Sequence, residues 1–96
     1  MTPEQIETVI LHFGFSKQIY KSIEELSELQ KELCKALIND LPLTKVPTES
    51  IVDELADVEI MCEQLRHIFR VSIEVDDRKE FKVDRLMKRI LINENP

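Results

Sequence analysis

Apolar residues recur at helical spacing along most of this chain, and the period fails at Gly14, between residues 39 and 47, and again near Val71. Ile6, Val9, Ile10 and Phe13 form a first stripe that Gly14 ends. Pro3 suits the first helical position, Thr2 the N-cap, and Gln5 is placed to reach back towards it. The spacing predicts a second helix from about Ser16 to Ile38, with Ile19, Ile23, Leu26, Leu29, Leu33 and Leu37 as its apolar stripe. It ends before Asn39-Asp40-Leu41-Pro42, and the segment through Pro47 reads as loop, since it carries two prolines and no period. Thr48 or Ser50 then caps a third helix reaching about Phe69. Val71 to Val75 alternates too briefly to stand as a sheet and reads as an extended connection into a fourth helix, from about Asp77 to Ile92, with acids at its positive end. The expectation is an all-α fold of four helices.

Two acidic motifs disturb this pattern. Residues three apart on a helix share a face, so Glu25 and Glu28 project together, as do Glu54 and Asp57 on the next helix. Antiparallel packing of the two helices brings the pairs towards one point. In a chain with 33% charged residues, a solvated surface is the default for any one acid. Glu25 and Glu28 fit that default, because they flank their apolar stripe. Glu54 does not: Ile51, Leu55, Val58, Cys62, Leu65 and Phe69 fall about 20° to 100° from it, with Met61 about 20° to the other side. Asp57 lies on the margin near Ile68. A buried carboxylate costs several kcal/mol unless compensated. The compensation is either a cation side chain or a hard divalent ion, magnesium in particular, which takes oxygen ligands and shares its site with phosphate.

The remaining composition narrows the classes. The length of 96 residues suits one small domain, with few aromatics (5%) and one glycine. No stretch is apolar enough to cross a membrane, and Met1-Thr2-Pro3-Glu4 does not begin a signal peptide, so the expectation is a cytoplasmic protein. The net charge of −6 argues against nucleic-acid binding through bulk electrostatics, but a metal-neutralised pocket still accepts a nucleotide. Cys34 and Cys62 lack metal-ligand spacing and read as reduced thiols in or near the core; His12 and His67 read as surface or boundary residues. Arg78, Lys82, Arg85 and Arg89 draw a basic line along the fourth helix, either a solvated face or a set of phosphate contacts. Phe81, Val83, Leu86, Ile90 and Leu91 surround that helix, which predicts burial on two sides and an oligomer interface.

Glu24-Glu25-x-x-Glu28, 25 intervening residues, then Glu54-x-x-Asp57 resembles the MazG-like nucleotide pyrophosphohydrolases, an all-α superfamily. The surroundings match as well, in Ile23-Glu24-Glu25-Leu26-Ser27-Glu28-Leu29 and Asp53-Glu54-Leu55-Ala56-Asp57-Val58, with Gln18 upstream and Lys82-x-x-Arg85 like the family's basic signature. The resemblance covers roughly residues 10 to 90. It implies a four-helix bundle assembled as a homodimer or homotetramer, and hydrolysis of a nucleoside triphosphate between the α- and β-phosphates to a monophosphate and pyrophosphate. It implies Glu25, Glu28, Glu54 and Asp57 as ligands of Mg2+, or of Mn2+, and Glu24 as a water-orienting or structural acid. Lys82 and Arg85 would hold substrate phosphate, and nucleotide-pool house-cleaning is the family-level role. For base stacking, Phe15 and Tyr20 are the candidates, with core packing as their alternative.

Two other classes compete. A non-catalytic, oligomerising helical module with a degenerate MazG-like fold would use the acids structurally. A di-iron oxidative centre expects Glu-x-x-His pairs, but Val9 precedes His12 by three and Gln64 precedes His67.

Overall fold

The computed structural model describes residues 1–38 and 40–92. It is all-helical, with four α-helices and no strand among the described residues: α1 (Pro3–Phe13), α2 (Phe15–Ile38), α3 (Glu49–Phe69) and α4 (Ser72–Leu91), plus a 3-10 turn at Leu43–Lys45. Asn39, read as part of the exit from the second helix, lies outside the described residues.

The first helix begins as its capping residues dictate. Thr2 Oγ1 accepts from the Gln5 backbone N–H at 3.1 Å, and Gln5 Oε1 accepts from the Thr2 N–H at 2.9 Å. Gly14 joins α1 to α2 at φ 91° and ψ 158°, a conformation open essentially to glycine alone, while its N–H donates to Ile10 O at 2.7 Å. Thr48 stands at the head of α3 as expected, but its side chain makes no capping hydrogen bond.

The α2 and α3 rods run antiparallel. Gln18 meets Gln64, Glu25 meets Glu54 and Asp57, and Ala36 shares a cavity with Ser50 and Ile51, so numbers rise on one helix as they fall on the other. α1 packs across both rods, and α4 packs principally on α3.

Three expectations fail here, each for a physical reason. First, the arc of α2 turned towards α3 is not its apolar stripe. It is the row Gln18, Ser22, Glu25, Leu29, Glu32 and Ala36, all within about 40° of one another's mean direction. Ile23, Leu26, Leu33 and Leu37 of the stripe face outward, at 47% exposure or more. On α3 the inner arc is likewise rotated towards Met61 and Gln64, leaving Leu55, Cys62 and Phe69 exposed. Second, both cysteines are free, as expected, but exposed rather than near the core.

Third, α4 begins at Ser72 instead of Asp77. In a helix Val71 and Val75 fall four apart on one face, and both are half-buried in the corner with α3. Arg66 fixes that corner by donating from Nη1 to the Ser72 carbonyl at 3.2 Å and to Asp76 Oδ1 at 2.7 Å. Within one chain Phe81, Val83, Ile90 and Leu91 of α4 are exposed and Leu86 is half-buried, so burial on two sides would take a second chain.

Ile6, Ile10 and Met61 are the buried apolar residues among those described. The Cα radius of gyration is 16.8 Å, where a packed globule of this length has about 12 Å.

Candidate metal centre

The α2–α3 seam places carboxylates where hydrocarbon would ordinarily sit. Glu25 from α2 and Glu54 and Asp57 from α3 each offer an oxygen, and these atoms lie within 4.8 Å of one another. Glu25 is buried, Glu54 half-buried and Asp57 exposed, so the group opens to solvent on the Asp57 side. Glu28, half-buried one turn along α2, stays outside this close group, yet its charge still acts on Glu54.

The electrostatics follow from crowding like charges in a partly desolvated seam. Burial, then the charges of Glu25, Asp57, Glu28 and Glu32, raise the Glu54 carboxyl above the usual glutamate range. Asp57 is raised too, first by a side-chain hydrogen bond with Glu25, which needs one shared proton, and then by burial. Both groups therefore resist ionising together without a cation.

A lysine supplies part of that compensation. Lys21 Nζ lies 3.2 Å from Glu25 Oε1 and 3.7 Å from Glu24 Oε1, which raises its own pKa. Lys35 similarly meets Glu32 at 3.3 Å. Glu54 Oε2, by contrast, is buried with no hydrogen-bond partner among the described residues. A buried oxygen without a partner, on an acid that also belongs to a group of three carboxylates, is donor chemistry that suits a hard divalent cation. Three protein oxygens leave positions open for water and phosphate, the manner in which magnesium is commonly held. The chain's residues thus fit the ion.

Above the acids, the seam is closed by neutral polar groups. Gln18 Nε2 donates to Gln64 Oε1 at 2.7 Å, and Ser22 Oγ donates to the Gln18 carbonyl at 2.8 Å, all three residues being buried. This pairing locks the register that opposes Glu25 to Glu54.

The other sequence candidates lie elsewhere. Glu24 is exposed beside Lys21. Lys82 and Arg85 are exposed on α4, where Arg85 stacks over Phe81 at 5.7 Å. Phe15 and Tyr20 are exposed. His12 and His67 are both exposed, as expected. Two contributors were overlooked in the sequence, Lys21 and Glu32. The signal for Lys21 was present, since it precedes Glu24 by three residues and Glu25 by four on one helix face.

A cavity of about 960 Å3 lies away from the acids, in the α3–α4 corner among Leu65, Phe69, Val71 and Val75. Of the charged groups that line it, Arg66 pairs with Asp76, and Glu63 with the N-terminal ammonium at 2.8 Å. No helix of the described residues is long and apolar enough to cross a membrane.

No family model matches this chain, and comparison with the curated proteins and with the solved structures found no match.

Proposed function

We propose that this chain is a magnesium-dependent nucleoside triphosphate pyrophosphohydrolase of the MazG-like type, cleaving between the α- and β-phosphates. The observation that carries the reading is the gathering of one oxygen each from Glu25, Glu54 and Asp57 within 4.8 Å, with Glu54 also holding a buried oxygen that has no partner among the described residues. It has the donor chemistry that the paired acidic motifs imply. Glu25, Glu54 and Asp57 hold the ion, with Glu28 as the next ligand in reach of its charge. When bound, magnesium polarises phosphate oxygens and lowers the pKa of a coordinated water. Phosphoryl chemistry rests on positioning and charge neutralisation, so the absence of a Ser, Cys or His nucleophile from the group is consistent with it.

The chain's own residues do the remaining work. Gln18 and Gln64 hold the two acid-bearing helices in register. Glu24, exposed beside Lys21, is assigned to orienting water or to structural support. Lys82 and Arg85, exposed on α4, are assigned to substrate phosphate. The reading also includes a homo-oligomer, dimer or tetramer, supported by the outward apolar faces of α2 and α4 and the expanded radius. Removal of unwanted nucleotides from the cytoplasmic pool is the corresponding role.

A pyrophosphate-release screen over the eight common ribo- and deoxynucleoside triphosphates, with magnesium and with EDTA, tests the reaction and the substrate together. Metal-dependent release from at least one of them is expected. Silence across the panel favours a non-catalytic, oligomerising helical module, which the same exposed apolar faces would serve.

A further inference from the structure

One helical turn before Glu25, the corner between α1 and α2 opens a cavity of about 500 Å3 that the acidic group does not use. Phe13, Lys17, Tyr20 and Lys21 line it, with Gln18 and Met61 at its base of buried residues, and Glu24 also borders it. Its contents are those of a nucleotide-recognition surface rather than a core defect. Two aromatic rings stand free enough to receive a flat ligand, Phe13 at 47% exposure and Tyr20 at 73%. Lys17 Nζ sits 5.4 Å above the Phe13 ring, so a cation and an aromatic face are offered side by side. Lys21 belongs to both places: it lines this cavity and its Nζ is 3.2 Å from Glu25 Oε1.

Resting on the proposed pyrophosphohydrolase reading, we infer that this cavity is the nucleoside subsite of the same centre, with Lys21 as the residue that joins it to the carboxylates by binding a substrate phosphate. The direction is set by the fold. From the acids towards the start of α2, the wall of the cavity presents Lys21 and Tyr20, then Lys17 one turn further, then Phe13 of α1. A cation at each step complements phosphate charge, and stacking on an aromatic face is open to every base. Lys21, now paired with Glu25 at 3.2 Å, would be free to meet the phosphate once a cation held that carboxylate.

Calorimetric titration with magnesium separates this inference from the reading beneath it. The probes are the non-hydrolysable α,β-imido triphosphates of adenosine, guanosine, cytidine and thymidine, set against inorganic tripolyphosphate, which lacks a nucleoside. At least one nucleotide analogue is expected to bind about tenfold tighter than tripolyphosphate. The double variant Phe13→Ala/Tyr20→Ala should erase that margin and leave tripolyphosphate binding unchanged. Both side chains being largely exposed, its melting curve should follow that of the parent. Lys21→Met should weaken both ligands by about tenfold, with Lys21→Arg restoring most of it. If tripolyphosphate binds but no nucleotide exceeds it, or the double variant keeps the margin, the subsite assignment is overturned while the metal centre stands. If neither ligand binds in magnesium, both fall.

Discussion

The α2–α3 seam and the outer faces of α2 and α4 invert the ordinary distribution of side chains. Inside the seam lie Gln18, Ser22, Glu25, Glu54 and Gln64, groups that a core would normally exclude. Outside lie Ile23, Leu26, Leu33 and Leu37 of α2, and Phe81, Val83, Met87 and Ile90 of α4, groups that a core would normally contain. The difference teaches that the two surfaces answer to different partners. The polar seam is arranged around hydrogen bonds and, on the proposed reading, a cation. The exposed apolar residues are the surface on which the proposed assembly would rest.

The largest effect expected is on the seam. Glu54→Gln removes the ligand at its centre and should lower pyrophosphate release about a hundredfold or more, the scale on which one preorganised electrostatic group acts. The metal-free protein should fold at least as well, because a like charge leaves the cluster. Substantial remaining turnover, measured by coupled phosphate assay, removes Glu54 from the ligand set.

The outer faces give the next effect. Leu26→Asp combined with Leu37→Asp places charge on surface that is already exposed in one chain, so it should leave a lone protomer folded and shift its self-association by at least about tenfold towards monomer. Sedimentation that is unchanged by this pair would mean the outer face of α2 takes no part in assembly.

A smaller effect separates structural from chemical polarity in the seam. Gln18→Ala leaves Gln64 Oε1 buried without its donor and should cost about 1 to 3 kcal/mol in urea unfolding, whereas the exposed Lys82→Ala should stay within about 0.5 kcal/mol. Equal costs for the two would deny the seam any special status.

The smallest effect is a pH dependence. Glu54 and Asp57 have raised carboxyl pKa values in the folded chain, so folding takes up protons as pH falls from neutrality towards the ordinary carboxylate range. Metal-free stability should therefore rise on mild acidification, and magnesium should flatten that rise. Asp76, lowered by Arg66, works in the opposite sense: its contribution is present above the ordinary aspartate range and is lost below it. A melt series between pH 7 and pH 5 in EDTA reads the first effect without much of the second.

How much of this was legible in the residues depends on what each helix had to tell. Thr2, Gln5 and Pro3 specify their own geometry locally, so the start of α1 could be read directly. Glu54 stood out because hydrocarbon surrounds it on the wheel of α3, and it lies on the half-buried face of that helix. The wheel of α2 misled, because periodicity finds the apolar arc but not the surface that arc will meet. In one chain Ile23, Leu26, Leu33 and Leu37 of that arc stay exposed, and Gln18, Ser22 and Glu25 turn inward beside the half-buried Leu29. The start of α4 was misplaced for a related reason. Val71 to Val75 has strand-like composition, and what holds its first turn is a contact from α3, the Arg66–Asp76 pair, invisible to a local reading.

The central claim, that three carboxylates from two packed helices grip one cation, meets its most direct test in a thermal melt of the parent chain and of Glu54→Gln, each in EDTA and in magnesium. Saturation at a hundredfold over the dissociation constant should stabilise the parent by about 2.7 kcal/mol and leave the variant nearly unmoved. Parent melting curves that superimpose in EDTA and magnesium would contradict the account.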